Sequence, residues 1–383
     1  MTVVERSKSG VFSCQELERA IARGVISSDV KIAEAQIQPA SLDLRLGGKA
    51  YRLVSSFLPD KKQKVFNIFT SGKMIMYEHE LTDEGMVLEK NCVYLIPLME
   101  RLDLPPDVGG KANPKSTTGR LDIFTRVITD RNPRFDEIPT EYKGELFLEV
   151  MPRSFTVKVR KGQSLVQLRL RENRESCRVT GKQLKELNKK TPLLYDGDRP
   201  VPLSKGNLSS GMLYMSVDLK GGEDGIIGYK SKRNSQVVDL KEKNYYNMEE
   251  FWEPIKRNSK ENTLILEPEE FYILGSKESI SIPVGCAADM APYEAGSGEL
   301  RTHYAGFFDP GFGYGTDGEL KGTKAVLEVR AHDVPFMLAH GQSFCNLYFE
   351  KMSEVPEKVY GPKIGSSYQY QGIALSKQFK GKE

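Results

Sequence analysis

Short runs of alternating apolar and polar residues dominate the chain. Glu145–Val150, Phe155–Val159, Ser164–Leu170, Lys324–Arg330 and Phe344–Phe349 each follow a period of two. That period predicts half-buried strands. Gly162 and Gly341 fall between neighbouring runs, where they predict hairpin turns. Helical signals are few. Ser13-x-x-Glu16 is a capping box that opens a helix over Gln15–Arg23, with Gly24 as its stop. Lys182–Lys190 and Met248–Arg257 are the other helical candidates. Short strands punctuated by Gly and Pro predict a mainly β protein of barrel or jelly-roll-like units with a few short helices.

The pattern occurs twice. Leu88-Glu89, Tyr94, Pro105 and Pro114 recur 178 residues later as Leu266-Glu267, Tyr272, Pro283 and Pro292. Leu148-Glu149-Val150 and Gly162-Gln163-Ser164 recur 179 residues later, and Ser41-x-Asp43-Leu44 recurs 175 later as Ser216-x-Asp218-Leu219. One nearly constant offset across most of each half identifies a tandem duplication. The period is too long for a solenoid, so each copy is expected to form a domain. The stretch from Arg171 to Ser210 is charged, then rich in Pro, Gly and Ser. It places the expected boundary near residue 205, giving domains over 1–204 and 205–383.

Composition narrows the function classes. The chain has 383 residues, 55 Lys and Arg against 52 Asp and Glu, and a net charge of +3. Such a balance argues against binding nucleic acid by charge alone. There is no apolar run of about 18 residues, so no membrane helix is expected. The first residues carry no signal core, and a cytoplasmic protein is expected. Cys14, Cys92, Cys177, Cys286 and Cys345 are odd in number and far apart, as reduced thiols are.

Several sharp motifs fail on their residues. The four histidines meet no Cys-x-x-Cys, which a zinc nucleobase deaminase requires. Gly109-x-x-x-x-Pro114-Lys115-Ser116 puts proline where a P-loop needs glycine. Gly311-x-Gly313-x-Gly315 lacks the dinucleotide spacing. The run Asn113-Pro114-Lys115-Ser116-Thr117-Thr118-Gly119-Arg120 combines two cations, three hydroxyls and a glycine, the chemistry of a phosphate cradle. From composition alone, an ordinary polar loop is the plainer reading. Glu149 and Glu328 hold one position in the two copies, each inside an apolar strand. Such a glutamate is ordinarily the solvent-facing residue; pointed into a cleft it would suit proton transfer. Asp309-Pro310-Gly311 is a tight-turn signal, the lone Trp252 reads as packing, and Tyr360–Gln371 reads as a tail or a lid over a ligand.

Together these pieces resemble the dCTP deaminase branch of the dUTPase-like superfamily, in its double-domain bacterial form. Ile37-Gln38-Pro39-Ala40-Ser41-Leu42-Asp43-Leu44-Arg45-Leu46-Gly47 resembles the family's N-terminal signature. Lys115-Ser116-Thr117-Thr118-Gly119-Arg120 resembles its Arg-Ser-Ser-x-x-Arg motif, with lysine first. Ala305-Gly306-Phe307-Phe308-Asp309-Pro310-Gly311-Phe312 resembles its Asp-Pro-Gly turn, and Val326-Leu327-Glu328 the strand of its catalytic glutamate. Tyr360 and Gln371 have the spacing of the nucleotide-covering tail.

The resemblance implies a distorted β-barrel in each copy and zinc-free hydrolysis of dCTP to dUTP and ammonia, with Mg²⁺ carried by the substrate triphosphate. It implies a homo-oligomer with sites between barrels, and neither a nucleic-acid nor a membrane partner. Carried onto this chain, the catalytic set is Glu328, Ser116, Arg120 and Glu149. The nucleotide-binding set is Lys115, Thr117, Thr118, Gly119, Ala305, Asp309, Val326, Tyr360 and Gln371. The copies depart from the pattern in opposite ways. The first keeps Ser116 and Arg120 but has Thr129-Asp130-Arg131-Asn132-Pro133 in place of the turn; the second keeps the turn, Glu328 and the tail but has Ala291-Pro292-Tyr293-Glu294 at the Ser/Arg segment. Ser297 and Arg301 share the four-residue spacing of Ser116 and Arg120 but fall out of register. A composite site is therefore expected, with Ser116 and Arg120 meeting Glu328, Asp309, Tyr360 and Gln371. Other readings are a dUTP diphosphatase, a bifunctional deaminase that also cleaves dUTP, and a nucleotide-binding regulator without activity.

Overall fold

A computed structural model of the chain describes residues 9–172, 177–204, 206–258, 261–291, 300–302, 306–331, 333–366, 368–369 and 371–381. The alternating runs named above lie in strands, except that only Val157–Val159 of the run Phe155–Val159 does so. The first copy pairs Ser164–Glu172 with Val108–Pro114 and Leu42–Arg45 in one sheet. Its second sheet is centred on Val93–Asp103 and Lys143–Pro152, flanked by Lys49–Leu53 and Ile123–Thr129. The second copy repeats this plan. Ser343–Lys351 pairs with Cys286–Ala291 and Met212–Ser216, while Phe271–Ile280 pairs with Thr323–Ala331 and Ile226–Ser231. The duplication extends to single hydrogen bonds. The Glu89 N–H donates to the Tyr94 hydroxyl at 3.1 Å, and the Glu267 N–H to the Tyr272 hydroxyl at 2.9 Å.

Each copy builds a core, and the first core also takes in Tyr229, Trp252 and Ile273 of the second copy. Alternation sends Leu146, Leu148 and Val150 into the first, and Ala325, Leu327, Val329 and Ala331 into the second. Core membership changes between Leu170 and Val179, ahead of the boundary expected near residue 205. Val179, Leu184, Leu193 and Leu194 pack in the second core. The two bodies are fused. Val157 pairs in parallel with Val238, and Phe155 of the first copy meets Trp252 at 5.2 Å and Phe251 at 5.9 Å. Trp252 is thus a packing residue.

Where the sheets of the two copies meet, equivalent positions face each other with opposite charge. Lys111 pairs with Asp289 at 2.5 Å, and Arg171 with Glu350 at 2.8 Å; these pairs are separated by 178 and 179 residues. Two identical copies would set like charges against each other there, at a cost that opposite charges remove.

Three expectations are corrected. Helix Cys14–Ala22 forms behind its Ser13 cap, and Gly181–Lys190 forms behind Thr180. Met248–Arg257, however, is a single 3₁₀ turn followed by strand Trp252–Lys256. Pro254 would break a helix interior, and it is accommodated here because the strand lies at the sheet edge. Gly162 and Gly341 adopt φ of +79° and +78°, yet neither closes a hairpin. The strands on either side of each belong to different sheets, so these glycines turn the chain from one sheet to the next. Finally, neither strand glutamate faces solvent: Glu149 is 1% and Glu328 7% exposed. None of the five cysteines forms a disulfide. Among the described residues no helix is long and apolar enough to cross a membrane.

Candidate active site

The strand Thr323–Ala331 alternates, so Val326, Glu328 and Arg330 share the face opposite the second core. That face is covered by the first copy. Arg330 forms an ion pair with Asp122 and reaches Ser154, both in the first copy. Beside it, strand Val108–Pro114 ends at a proline, and Ser116–Gly119 winds into one helical turn. This turn presents Lys115, Ser116, Thr117 and Arg120 to Glu328 across the junction.

The result is one cavity of about 380 Å³ between the copies. From the first copy it is lined by Asp43, Lys115, Ser116, Thr117 and Arg120; from the second by Asp309, Val326, Glu328, Tyr360 and Gln371. Both halves of the expected composite site thus meet within a single chain. Gly306 lies on the same wall, where an added Cβ would stand 3.4 Å from Ser116 Oγ. Thr118 and Gly119 face away from it. The Thr118 hydroxyl donates to the Leu165 carbonyl at 2.8 Å and holds the turn in place. Glu149 is not among the lining residues. Ala305, Pro292, Tyr293, Glu294 and Ser297 lie outside the described residues, as does the side chain of Arg301.

The turn Asp309–Gly313 is clamped by the tail. Gly313 has a φ of +61°, and a Cβ there would stand 2.1 Å from the Ile280 carbonyl oxygen, so only glycine fits. Gln369 donates to the Gly311 carbonyl at 2.9 Å and accepts from the Gly313 N–H at 3.2 Å. The Tyr360 N–H donates to the Pro310 carbonyl at 2.8 Å, and its ring packs 5.3 Å from Phe312. Further on, Arg120 donates to the Ala374 carbonyl at 2.9 Å and stacks 3.6 Å from the Tyr368 ring. The Ser376 hydroxyl donates to the Thr117 carbonyl at 2.8 Å. The tail therefore lies across the cavity and bonds to both copies.

The electrostatics are uneven. Burial raises the Glu328 carboxyl well above the usual carboxylate range; Arg120 opposes this through space and Asp122 adds to it. Burial also pushes Asp309 up to about 6, against the pull of Arg169 at 3.2 Å. Asp43 is ion-paired with Lys115 and accepts from Gln167 at 3.0 Å. Gln371 donates to the Lys324 carbonyl at 3.1 Å, while among the described residues its buried Oε1 has no partner. Such a buried, unmatched acceptor is costly unless a donor arrives. Among the described residues no three His, Cys, Asp or Glu side chains converge as metal ligands would.

Sequence reasoning missed Lys243 and Lys377, which also line the cavity. Lys243 comes from the connection around Tyr245 and Tyr246, a segment with no motif. Nothing in its local sequence signals that it packs against the tail.

Comparison with known proteins agrees with this division. Residues 8–174 match the N-terminal domain model of the 2'-deoxycytidine 5'-triphosphate deaminases, and residues 180–379 match the C-terminal domain model. A crystal structure of 2'-deoxycytidine 5'-triphosphate deaminase from Agrobacterium tumefaciens superposes with a TM-score of 0.83 at 42% identity, covering 91% of this chain and 100% of that one. A dCTP deaminase of Acidianus ambivalens is 28% identical over 140 residues, which is 36% of this chain and 70% of the relative. A dUMP-forming dCTP deaminase of Methanosphaera stadtmanae is 25% identical over 145 residues, 37% of this chain and 67% of that protein.

Proposed function

The chain belongs to the 2'-deoxycytidine 5'-triphosphate deaminase family, and from that premise we propose that it hydrolyses dCTP to dUTP and ammonia at the cavity between its copies. The observation that carries this reading is that Ser116 and Arg120 from the first copy line one cavity with a buried Glu328 from the second, whose carboxyl burial raises well above the usual range.

In this reading Glu328 begins protonated and gives its proton to ring N3 of the cytosine. The carboxylate so formed takes a proton from water as the water oxygen adds to C4. It passes that proton to the exocyclic amine. The C4–N4 bond breaks, ammonia leaves, and the proton of the new hydroxyl returns to Glu328 as the C4 carbonyl forms. The Ser116 hydroxyl orients the water, and the Arg120 guanidinium stabilises charge developing around C4. Gln371 Oε1 accepts from the cytosine amine, which satisfies its orphaned lone pairs. Tyr360 and Val326 wall the nucleotide, and Thr117 contributes to the phosphate side. Asp43 and Asp309 are already engaged by Lys115 and Arg169. The Mg²⁺ that accompanies the substrate would accordingly be held by triphosphate oxygens and water. Glu149, remote from the cavity, is assigned a structural role.

The test is incubation of chelator-treated protein with dCTP and Mg²⁺, reading ammonia, dUTP and pyrophosphate. Ammonia with stoichiometric dUTP is expected, and Arg120→Ala should lower turnover about 10²–10³-fold. Pyrophosphate with dUMP would make the enzyme bifunctional, as the dUMP-forming relative is named. Binding of dCTP with no ammonia released would overturn the proposal.

A further inference from the structure

Two lysines of the cavity belong to none of the motifs that point to deamination. Lys377 is half-buried, while Lys243 is exposed at the rim. Among the described residues neither forms an ion pair. Their positions are set by backbone bonds. The Asn244 N–H donates to the Lys377 carbonyl at 2.9 Å, and the Tyr245 and Tyr246 N–H groups both donate to the Gln378 carbonyl, at 2.9 and 3.1 Å. The Lys380 N–H donates back to the Tyr246 carbonyl at 2.9 Å. The connection and the tail thus form a strap that holds the two ammonium groups near Lys115.

The three lysines share this part of the cavity with Asp43, which Lys115 already occupies, while Asp309 on the same lining is held by Arg169. Lys377 is lowered from its usual range by burial and then by the charges of Lys115 and Lys243, with Asp43 opposing. The groups that act on Glu328 are different: Arg120 and Asp122. The cavity therefore has a cationic neighbourhood distinct from the groups that act on Glu328, with more ammonium groups than Asp43 alone can match. Partly desolvated like charges repel, and an arriving polyanion relieves that repulsion.

We propose that Lys243 and Lys377 read the length of the phosphate chain, selecting the triphosphate over the di- and monophosphate. The assignment rests on the deaminase reading for the identity of the base, not for the charge on the ligand. Lysine suits the task as a compact point charge on a flexible stem. The two lysines sit on segments bonded to each other, so filling the cationic neighbourhood also secures the tail across the base.

Calorimetric titration of the full chain in a Glu328→Gln background, which prevents turnover, tests this with dCTP, dCDP, dCMP and inorganic tripolyphosphate. The parent should bind dCTP at least about 100-fold tighter than dCMP. Lys243→Met and Lys377→Met should each shrink that ratio about tenfold by weakening dCTP and leaving dCMP unchanged, and Lys377→Arg should preserve it. Tripolyphosphate should lose affinity in parallel. A merely structural lysine would weaken all three nucleotides equally, and an unchanged dCTP to dCMP ratio in both methionine variants would overturn the assignment. Tripolyphosphate separates this outcome from a wrong base: loss of its binding in the variants supports the lysine assignment even if the wild type releases no ammonia from dCTP.

Discussion

Two equivalent connections do opposite things in this molecule. Strands Lys49–Leu53 and Ile226–Ser231 occupy the same place in the two copies: Tyr51 pairs opposite Leu95, and Tyr229 opposite Ile273, each 178 residues further on. Each strand is followed by a connection to an edge strand, over residues 54–74 in the first copy and 232–251 in the second. The first connection folds back on its own sheet. Helix Val65–Thr70 sets Val65 and Phe69 against Tyr51, Leu53, Leu95 and Phe147. Beside this cluster Arg126 binds Glu149 at 2.6 and 3.0 Å, under the ring of Phe135. The second connection reaches away. Val238 joins a first-copy strand, and Tyr246 and Phe251 pack with Phe379. Its sheet face is left for the Lys115–Arg120 turn of the other copy. One strand position therefore yields a salt-bridged carboxylate in one copy and a buried carboxyl beside a cavity in the other. What covers the sheet decides the chemistry of its glutamate.

The sharpest test of that contrast is turnover. Glu328→Gln should lower ammonia release at saturating dCTP by about 10³-fold, and Glu149→Gln should stay within about threefold of wild type. Equal losses in the two would break the comparison. The next largest effect is on stability. Arg126→Ala strands Glu149 in a buried site and should cost about 3 kcal/mol in denaturant unfolding, at the low end for a buried pair because Arg126 is partly exposed. Adding Glu149→Gln to that variant should recover most of the loss. The smallest effect is graded by pH. Glu328 has a folded-state pKa raised above its unfolded value of about 4.5, so the native state holds the extra proton. Stability relative to Glu328→Gln is then unaffected below that pH and falls as pH rises through the folded value. Melting of the two proteins from pH 4 to pH 8 should show the glutamine variant gaining on the wild type; a gap independent of pH would contradict a protonated Glu328.

Much of this was legible before any coordinates. The alternation over Lys324–Arg330 and Glu145–Val150 marks strands because a pleated backbone sends neighbours to opposite faces. The divided motifs, Ser116 and Arg120 in one half and the turn with Glu328 in the other, already implied a shared site. The misreadings also have physical causes. Met248–Arg257 carries helix-forming residues at its start, but Pro254 and pairing with Ile226–Ser231 impose a strand. Gly162 and Gly341 do turn the chain, yet a local signal says nothing about which sheet the next strand joins. Glu149 and Glu328 read as solvent-facing because alternation identifies the face opposite the core and is silent on what lies beyond it.

The amino-acid order alone thus determined the duplication, the strand-rich architecture and the types of side chain available for catalysis, since these depend on neighbours a few residues apart or on direct repetition. Only the tertiary structure decided that Glu328 shares a cavity with Arg120 while Glu149 is ion-paired with Arg126, and that Lys243 and Lys377 line that cavity with Lys115. Those contacts join residues distant in the chain, and they follow from which surface each connection buries.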